Sequence, residues 1–228
     1  MEIGRLLTAM ITPFDENGEV NYEMSAKLAK AIIDSGSDGL VIGGTTGEAP
    51  TISDEEKLKL FSVVKESIGP DHALIAGTTN NNTKESVKLS KLAESTEVDG
   101  LLLTVPSYNK PTQDGLYKHF KSISEEVSIP CILYNVPSRT SLNMTDETTI
   151  KLSKLKNIVG IKEASSDLDQ ITKIISNTSN DFKVWSGNDN ETLYILSAGG
   201  YGIVSVAGHI VSSQIKQLIG HVLEGNIE

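Results

Sequence analysis

Cysteine is almost missing from this chain. A single residue, Cys131, among 228 excludes an internal disulfide framework, so stability has to come from a packed core. Histidine is scarce as well. The four histidines stand in no H-x-x-x-H spacing, which leaves no zinc motif, and no metal is expected. No G-x-G-x-x-G opens a helix, so a dinucleotide-binding fold has no motif behind it and no cofactor is expected. No long apolar run or signal peptide is visible, and a soluble, cytoplasmic protein is expected. Positive charge is outnumbered: 20 Lys and Arg against 30 Asp and Glu give a net charge of −10, which argues against nucleic-acid or anionic-membrane partners. Arginine occurs only at Arg5 and Arg139, amid many lysines, and such a residue raises a geometric question wherever it stands.

What the chain does have is a regular alternation of apolar runs and amphipathic stretches. Strands are expected at Leu6–Ile11, Gly39–Gly43, Ala73–Thr78, Gly100–Val105, Cys131–Asn135, Ile158–Lys162, Lys183–Ser186 and Gly202–Ala207. Between them lie helical patterns. The first buries a stripe of Met24, Leu28, Ala31 and Ile32; the second starts at a Ser53–Glu56 capping box and buries Leu60, Phe61, Val64 and Ile68. Eight strand–helix units at this length predict one domain, a (β/α)8 TIM barrel, over residues 1–228.

The unit that stands out is NIVGIKEASS, Asn157–Ser166, where a lysine interrupts a buried strand. Period-two alternation puts Ile158, Gly160 and Lys162 on one face and Val159, Ile161 and Glu163 on the other. If the first face points into the barrel, burial disfavours the ammonium form of Lys162, and a neutral amine can attack a carbonyl to form a Schiff base. A lysine that snorkels from a strand end would look the same in isolation. Tyr134 shares parity with Ile132 on the neighbouring strand, which points it inward, near enough to exchange a proton with an imine. Active sites of such barrels gather at the C-terminal strand ends. There the chain places Thr45 and Thr46, Tyr108, Arg139, Gly187 and Val204. The two threonines sit in a glycine-rich turn that suits a carboxylate, and Arg139 offers a planar fork for a second one.

The segments GTTGE, PSYNKP, LYNVPSRT, IVGIKEAS and SGND, in this order and spacing, resemble the dihydrodipicolinate synthase group of pyruvate-dependent class I aldolases. The resemblance runs from Gly4 to the end of the chain. It implies that Lys162 forms a Schiff base with pyruvate and that Tyr134, Thr45 and Tyr108 relay protons, Tyr108 reaching in from the partner in a tight dimer. It also implies that Thr45 and Thr46 hold the pyruvate carboxylate, that Arg139 holds the carboxylate of aspartate semialdehyde, and that Gly187 and Val204 line the pocket. The product would be 4-hydroxy-tetrahydrodipicolinate, on the way to lysine and diaminopimelate. Members that cleave N-acetylneuraminate or ketodeoxy sugar acids share the lysine and tyrosine but generally lack the arginine, so Arg139 favours the synthase.

The pattern also departs from the family. Ser107 stands where lysine-inhibited members often carry tyrosine, and Asp54 and Lys57 stand where they carry histidines, which predicts weak inhibition by lysine. Family members continue into a further helical region beyond the last barrel helix, which this chain lacks. The resemblance therefore implies an uncovered face there and a reduction of the usual tetramer to a dimer or monomer. Two alternatives follow: a folded, catalytically weak barrel that acts in assembly or binding, or a class I aldolase for a phosphorylated sugar. The second is disfavoured because Gly199–Gly208 contains no lysine or arginine.

Overall fold

The computed structural model describes residues 3–226. Eight parallel strands run β1 (Leu6–Ala9), β2 (Gly39–Ile42), β3 (Ala73–Gly77), β4 (Gly100–Thr104), β5 (Cys131–Asn135), β6 (Ile158–Glu163), β7 (Lys183–Ser186) and β8 (Gly202–Ser205). They close into a barrel in sequence order, with β8 pairing back onto β1 through Leu7 and Val204, so the sheet has no open edge. The crossovers carry helices α1 (Tyr22–Asp34), α2 (Asp54–Ile68), α3 (Thr83–Glu94), α4 (Gln113–Ser124), a short α5 (Pro137–Thr140), α6 (Asp146–Leu152), α7 (Leu168–Asn177), α8 (Thr192–Ser197) and α9 (Gly208–Leu223). This is the (β/α)8 barrel expected from the eight sequence units.

Alternation along each strand builds two cores. Leu7, Val41, Ile75, Leu102, Ile132 and Val204 fill the barrel, whereas Leu40, Leu74, Leu101, Leu103, Leu133 and Ile161 face the helices. The helices begin at side-chain caps as the sequence directs. Asn21, Ser53, Asn82, Thr112, Thr145 and Asp167 each accept from a first-turn N–H, and Ser53 with Glu56 completes the expected capping box.

Two expectations change. In α1 the buried residues are Ser25, Ala29 and Ile32, while Met24 is 48% exposed and Ala31 faces solvent. Small Ser25 and Ala29 let α1 press close to its neighbours, so the stripe turns by one position. In β6 the face alternation breaks at its first residue. Ile158 joins the outer core and Val159 packs against the barrel interior, because the pairing with β5 slips between Cys131 and Ile132. From Gly160 onward the pairing is regular, and Lys162 points inward as expected.

Candidate active site

Lys162 lies on β6 opposite Tyr134 of β5 and Trp185 of β7 in the strand registers. It is 5% exposed, and its Nζ stands 4.3 Å from the centroid of the Tyr134 ring. Burial lowers the amine from 10.5 to about 8; Asp189 opposes that shift and the Arg139 cation adds to it. At pH 7 about one lysine in ten is then neutral, several hundredfold more than for an unperturbed lysine. Such an amine is an accessible nucleophile at neutral pH.

The floor beneath it is closed. Trp185 Nε1 donates to the Gly4 carbonyl at 3.0 Å, and its ring meets Tyr201 edge to face at 5.2 Å. Arg5 lies over the Tyr201 ring, 4.3 Å from its centroid, and donates to the Tyr201 carbonyl at 2.6 Å. Gly160 makes room for this plug, since a Cβ there would lie 2.6 Å from Trp185 Cζ3. At the level of the amine, Gly187 has the same function: a Cβ on it would stand 2.7 Å from Ala164 Cβ and 3.2 Å from Lys162 Cε.

Tyr134 is buried, and burial raises its phenol while Arg139 lowers it. Val204, 1% exposed on β8, packs in the same interior cluster as Tyr134. These residues share the barrel interior with Lys162. Thr45 and Arg139 instead share a cavity of about 540 Å³ at the mouth, whose wall includes Gly43, Gly44, Thr45, Val136 and Arg139. Thr46 is half-buried in the same turn, which is braced by Thr12 Oγ1 donating to the Gly47 carbonyl at 2.7 Å. The cation of Arg139 acts on both Tyr134 and Lys162, so the mouth and the interior form one electrostatic unit. Arg139 owes its place to α5, one helical turn from Pro137 to Thr140 that follows directly on β5 and was not expected from the sequence. Proline at its first position was the available signal.

Tyr108 stands apart. It is 90% exposed, with φ +70, on the loop after β4. The structure thus gathers Lys162, Tyr134, Gly187 and Val204 in the interior and Thr45, Thr46 and Arg139 at the lip, and leaves Tyr108 facing outward. At the far end of the cavity Lys57 lies 3.6 Å from Asp54, near Asn80, Asn81 and Asn82.

Two carboxylates that the sequence places near the site, but gives no role, have defined partners. Asp189 accepts from Ser205 Oγ and from the N–H groups of Val206 and Ala207 at 3.1 and 3.2 Å, which ties the end of β7 to the start of α9 beside the amine. Glu163 is fully buried on the helix-facing side of β6, and burial pushes it up to about 7. Among the described residues no cluster of three His, Cys, Asp or Glu side chains is arranged to hold a metal, and no helix is long and apolar enough to cross a membrane.

The model of the dihydrodipicolinate synthetase family matches residues 2–228. The 4-hydroxy-tetrahydrodipicolinate synthase of Dehalococcoides mccartyi is 55% identical over 227 residues, covering 100% of this chain and 76% of that one. A dihydrodipicolinate synthase crystal structure from Bacillus anthracis superposes with a TM-score of 0.96 at 42% identity, covering 99% of this chain and 77% of the other. The enzyme from Cyanidioschyzon merolae, solved with lysine bound, gives 0.96 at 43% identity and covers 97% and 76%.

Proposed function

The chain belongs to the dihydrodipicolinate synthetase family, and from that premise we propose a lysine-dependent condensation of pyruvate with L-aspartate 4-semialdehyde that yields 4-hydroxy-tetrahydrodipicolinate. The observation that carries the chemistry is the buried Lys162 amine, lowered to about 8 and 4.3 Å from the Tyr134 ring.

In this reading the neutral Lys162 amine attacks the pyruvate ketone. Tyr134 passes the protons that turn the carbinolamine into an imine with loss of water. Loss of a methyl proton gives the enamine, whose carbon attacks the aldehyde. The semialdehyde's own amine then displaces Lys162 from the imine carbon, which closes the ring and frees the enzyme. Thr45 and Thr46 hold the pyruvate carboxylate, Val204 packs against its methyl group, and Gly187 leaves the space in which the imine forms. Arg139 clamps the carboxylate of the second substrate at the lip, where its planar fork faces the cavity. Tyr108 completes the proton relay from a second copy; its outward placement supports a self-associating assembly. We place this activity in the cytoplasm.

The test is intact-protein mass after incubation with pyruvate and borohydride, with Lys162→Ala as control. One reduced adduct, absent from the control, is expected; a wild-type protein that stays folded and gains no adduct rejects the reading. Turnover with the semialdehyde is then compared with turnover of sugar-acid substrates, and a preference for the latter rejects the synthase assignment. Arg139→Ala should raise KM for the semialdehyde by about ten- to a hundredfold and leave the adduct intact, as loss of a charged bidentate contact requires.

A further inference from the structure

Glu163 takes no part in the chemistry above, yet its surroundings are closely specified. Its carboxyl has no solvent exposure, and its oxygens accept from three neighbouring residues. Ser165 N–H donates to it at 2.9 Å, Asn135 Nδ2 at 3.1 and 3.3 Å, and Gln170 Nε2 at 3.4 Å. No cation is among the groups that act on it.

The two amides are held in one orientation. Asn135 Oδ1 accepts from Met144 N–H at 3.0 Å, and Gln170 Oε1 accepts from Asn143 Nδ2 at 2.8 Å. Each amide therefore has its oxygen committed elsewhere and its NH2 group directed at Glu163. Asn143 Oδ1 accepts from both, at 2.8 Å from Asn135 and 3.2 Å from Gln170, which closes the network. A glutamine in place of Glu163 would set its own NH2 against one of these donors.

Register gives the network its meaning. Asn135 pairs with Glu163 as Tyr134 pairs with Lys162, one step earlier on the same two strands. One side chain on the outside of the barrel thus ties together the strand ends that carry the phenol and the amine inside. A buried charge with no counter-ion is costly, and a purely structural tie would be served by a neutral pair.

We infer that Glu163 is a positioning residue: by holding Asn135, Gln170 and the Ser165 turn, it fixes the spacing between the Tyr134 ring and the Lys162 amine on which proton transfer during condensation depends. The inference rests on the proposed Schiff-base reaction. The groups bonded to the carboxylate are Asn135 from β5, Gln170 from α7 and Ser165 from the turn after β6, with Asn143 and Met144 before α6 bracing the two amides; none of them is titratable. Protonation of Glu163 as pH falls through about 7 removes acceptor capacity and loosens the tie.

The experiment compares wild type with E163Q in three readouts: pyruvate adduct formation, kcat and KM at saturating co-substrate, and the pH profile of kcat between 6 and 8. The expected result is adduct formation and pyruvate KM close to wild type, a kcat lower by about ten- to a hundredfold, and loss of the step near pH 7. A variant with kcat and pH profile like wild type, even with a lowered thermal midpoint, overturns the inference and leaves Glu163 a structural group. Should E163Q not fold, E163D decides, because it keeps the charge and shortens the tie: a kcat loss of about fivefold or more supports positioning, and an unchanged kcat overturns it. Absence of a pyruvate adduct on the wild type would instead reject the reaction itself, so the two failures are distinct.

Discussion

Tyr134 and Lys162 are direct register partners on adjacent parallel strands, and the amine lies 4.3 Å from the centroid of the phenol ring. Strand pairing places the two residues side by side, and the tie from Glu163 to Asn135 joins the same two strands one step further along.

Removal of the phenolic hydroxyl should separate binding from chemistry. Tyr134→Phe keeps the ring and the packing, so the fold and the nucleophile survive. The expected loss is in kcat, by about a hundred- to ten-thousandfold, the usual range for one acid–base group. Steady-state kinetics with both substrates, alongside adduct mass, checks this; a kcat within tenfold of wild type would remove Tyr134 from the proton path.

The lowered amine of Lys162 predicts how adduct formation depends on pH. Only the neutral amine attacks, so the rate at fixed pyruvate should rise about tenfold per unit below pH 8 and level off above it. Trapping with cyanoborohydride across pH 6–9.5 measures the midpoint. A rate still climbing through pH 9.5 would show an ordinary, solvated lysine.

Crowding at Gly187 gives a steric test. Gly187→Ala places a methyl group 3.2 Å from Lys162 Cε and 2.7 Å from Ala164 Cβ. The cost in stability should be about 1–3 kcal/mol, as for other overpacked sites. Adduct formation should fall more than tenfold because the lysine has to move. Thermal melting and trapping read the two effects separately, and a variant that forms adduct at the normal rate would exclude Gly187 as a spacer.

His119 offers a test away from the site. It is buried on α4, with Nδ1 2.9 Å from Thr83 Oγ1 and Nε2 without a partner among the described residues. Burial lowers it from 6.5 to about 4. Between these values the unfolded chain binds the extra proton and the folded one does not. Stability is therefore fully present above pH 6.5 and declines as pH falls toward 4, by about 3 kcal/mol from this group. His119→Asn, which retains a partner for Thr83 and does not titrate, should flatten that part of the curve in urea unfolding from pH 4 to 7; an unchanged slope would reject the assignment.

Lysine should inhibit weakly. Lys57, mostly buried 3.6 Å from Asp54, adds a second cation to Arg139 in the wall of the mouth cavity, which disfavours a cationic ligand there. Initial rates against lysine concentration check this, and a clear loss of activity at modest lysine would contradict it. Lys57→Ala should make the protein more sensitive, not less.

The parts legible in sequence were those whose signals are local. β5 and β7 have the bounds expected from the sequence, and the capping box of α2 is written in four consecutive residues. Lys162 and Tyr134 were legible because parity along a short strand is a local property. Parity failed at Ile158, where the register slips against a strand more than twenty residues away, and no pattern within β6 announces it. Met24 misled because α1 packs through small residues rather than its largest apolar one. Glu163 stayed hidden for a related reason: its partners Asn135 and Gln170, and the Asn143 that bonds them both, come from three separate segments and meet only in the folded barrel.

Trp185, Tyr201 and Arg5 seal the barrel below Lys162. With that floor shut, the amine is approached from the C-terminal ends of the strands, the side on which Thr45 and Arg139 line the mouth cavity. Traffic through a single opening has a fixed sequence. In the proposed reaction the smaller keto acid goes down first and becomes anchored, the aldehyde arrives above it, and the cyclised product leaves before the next molecule descends. In the proposed reaction the order of substrate addition follows from this closed floor, which Trp185 helps to build without lining the mouth cavity.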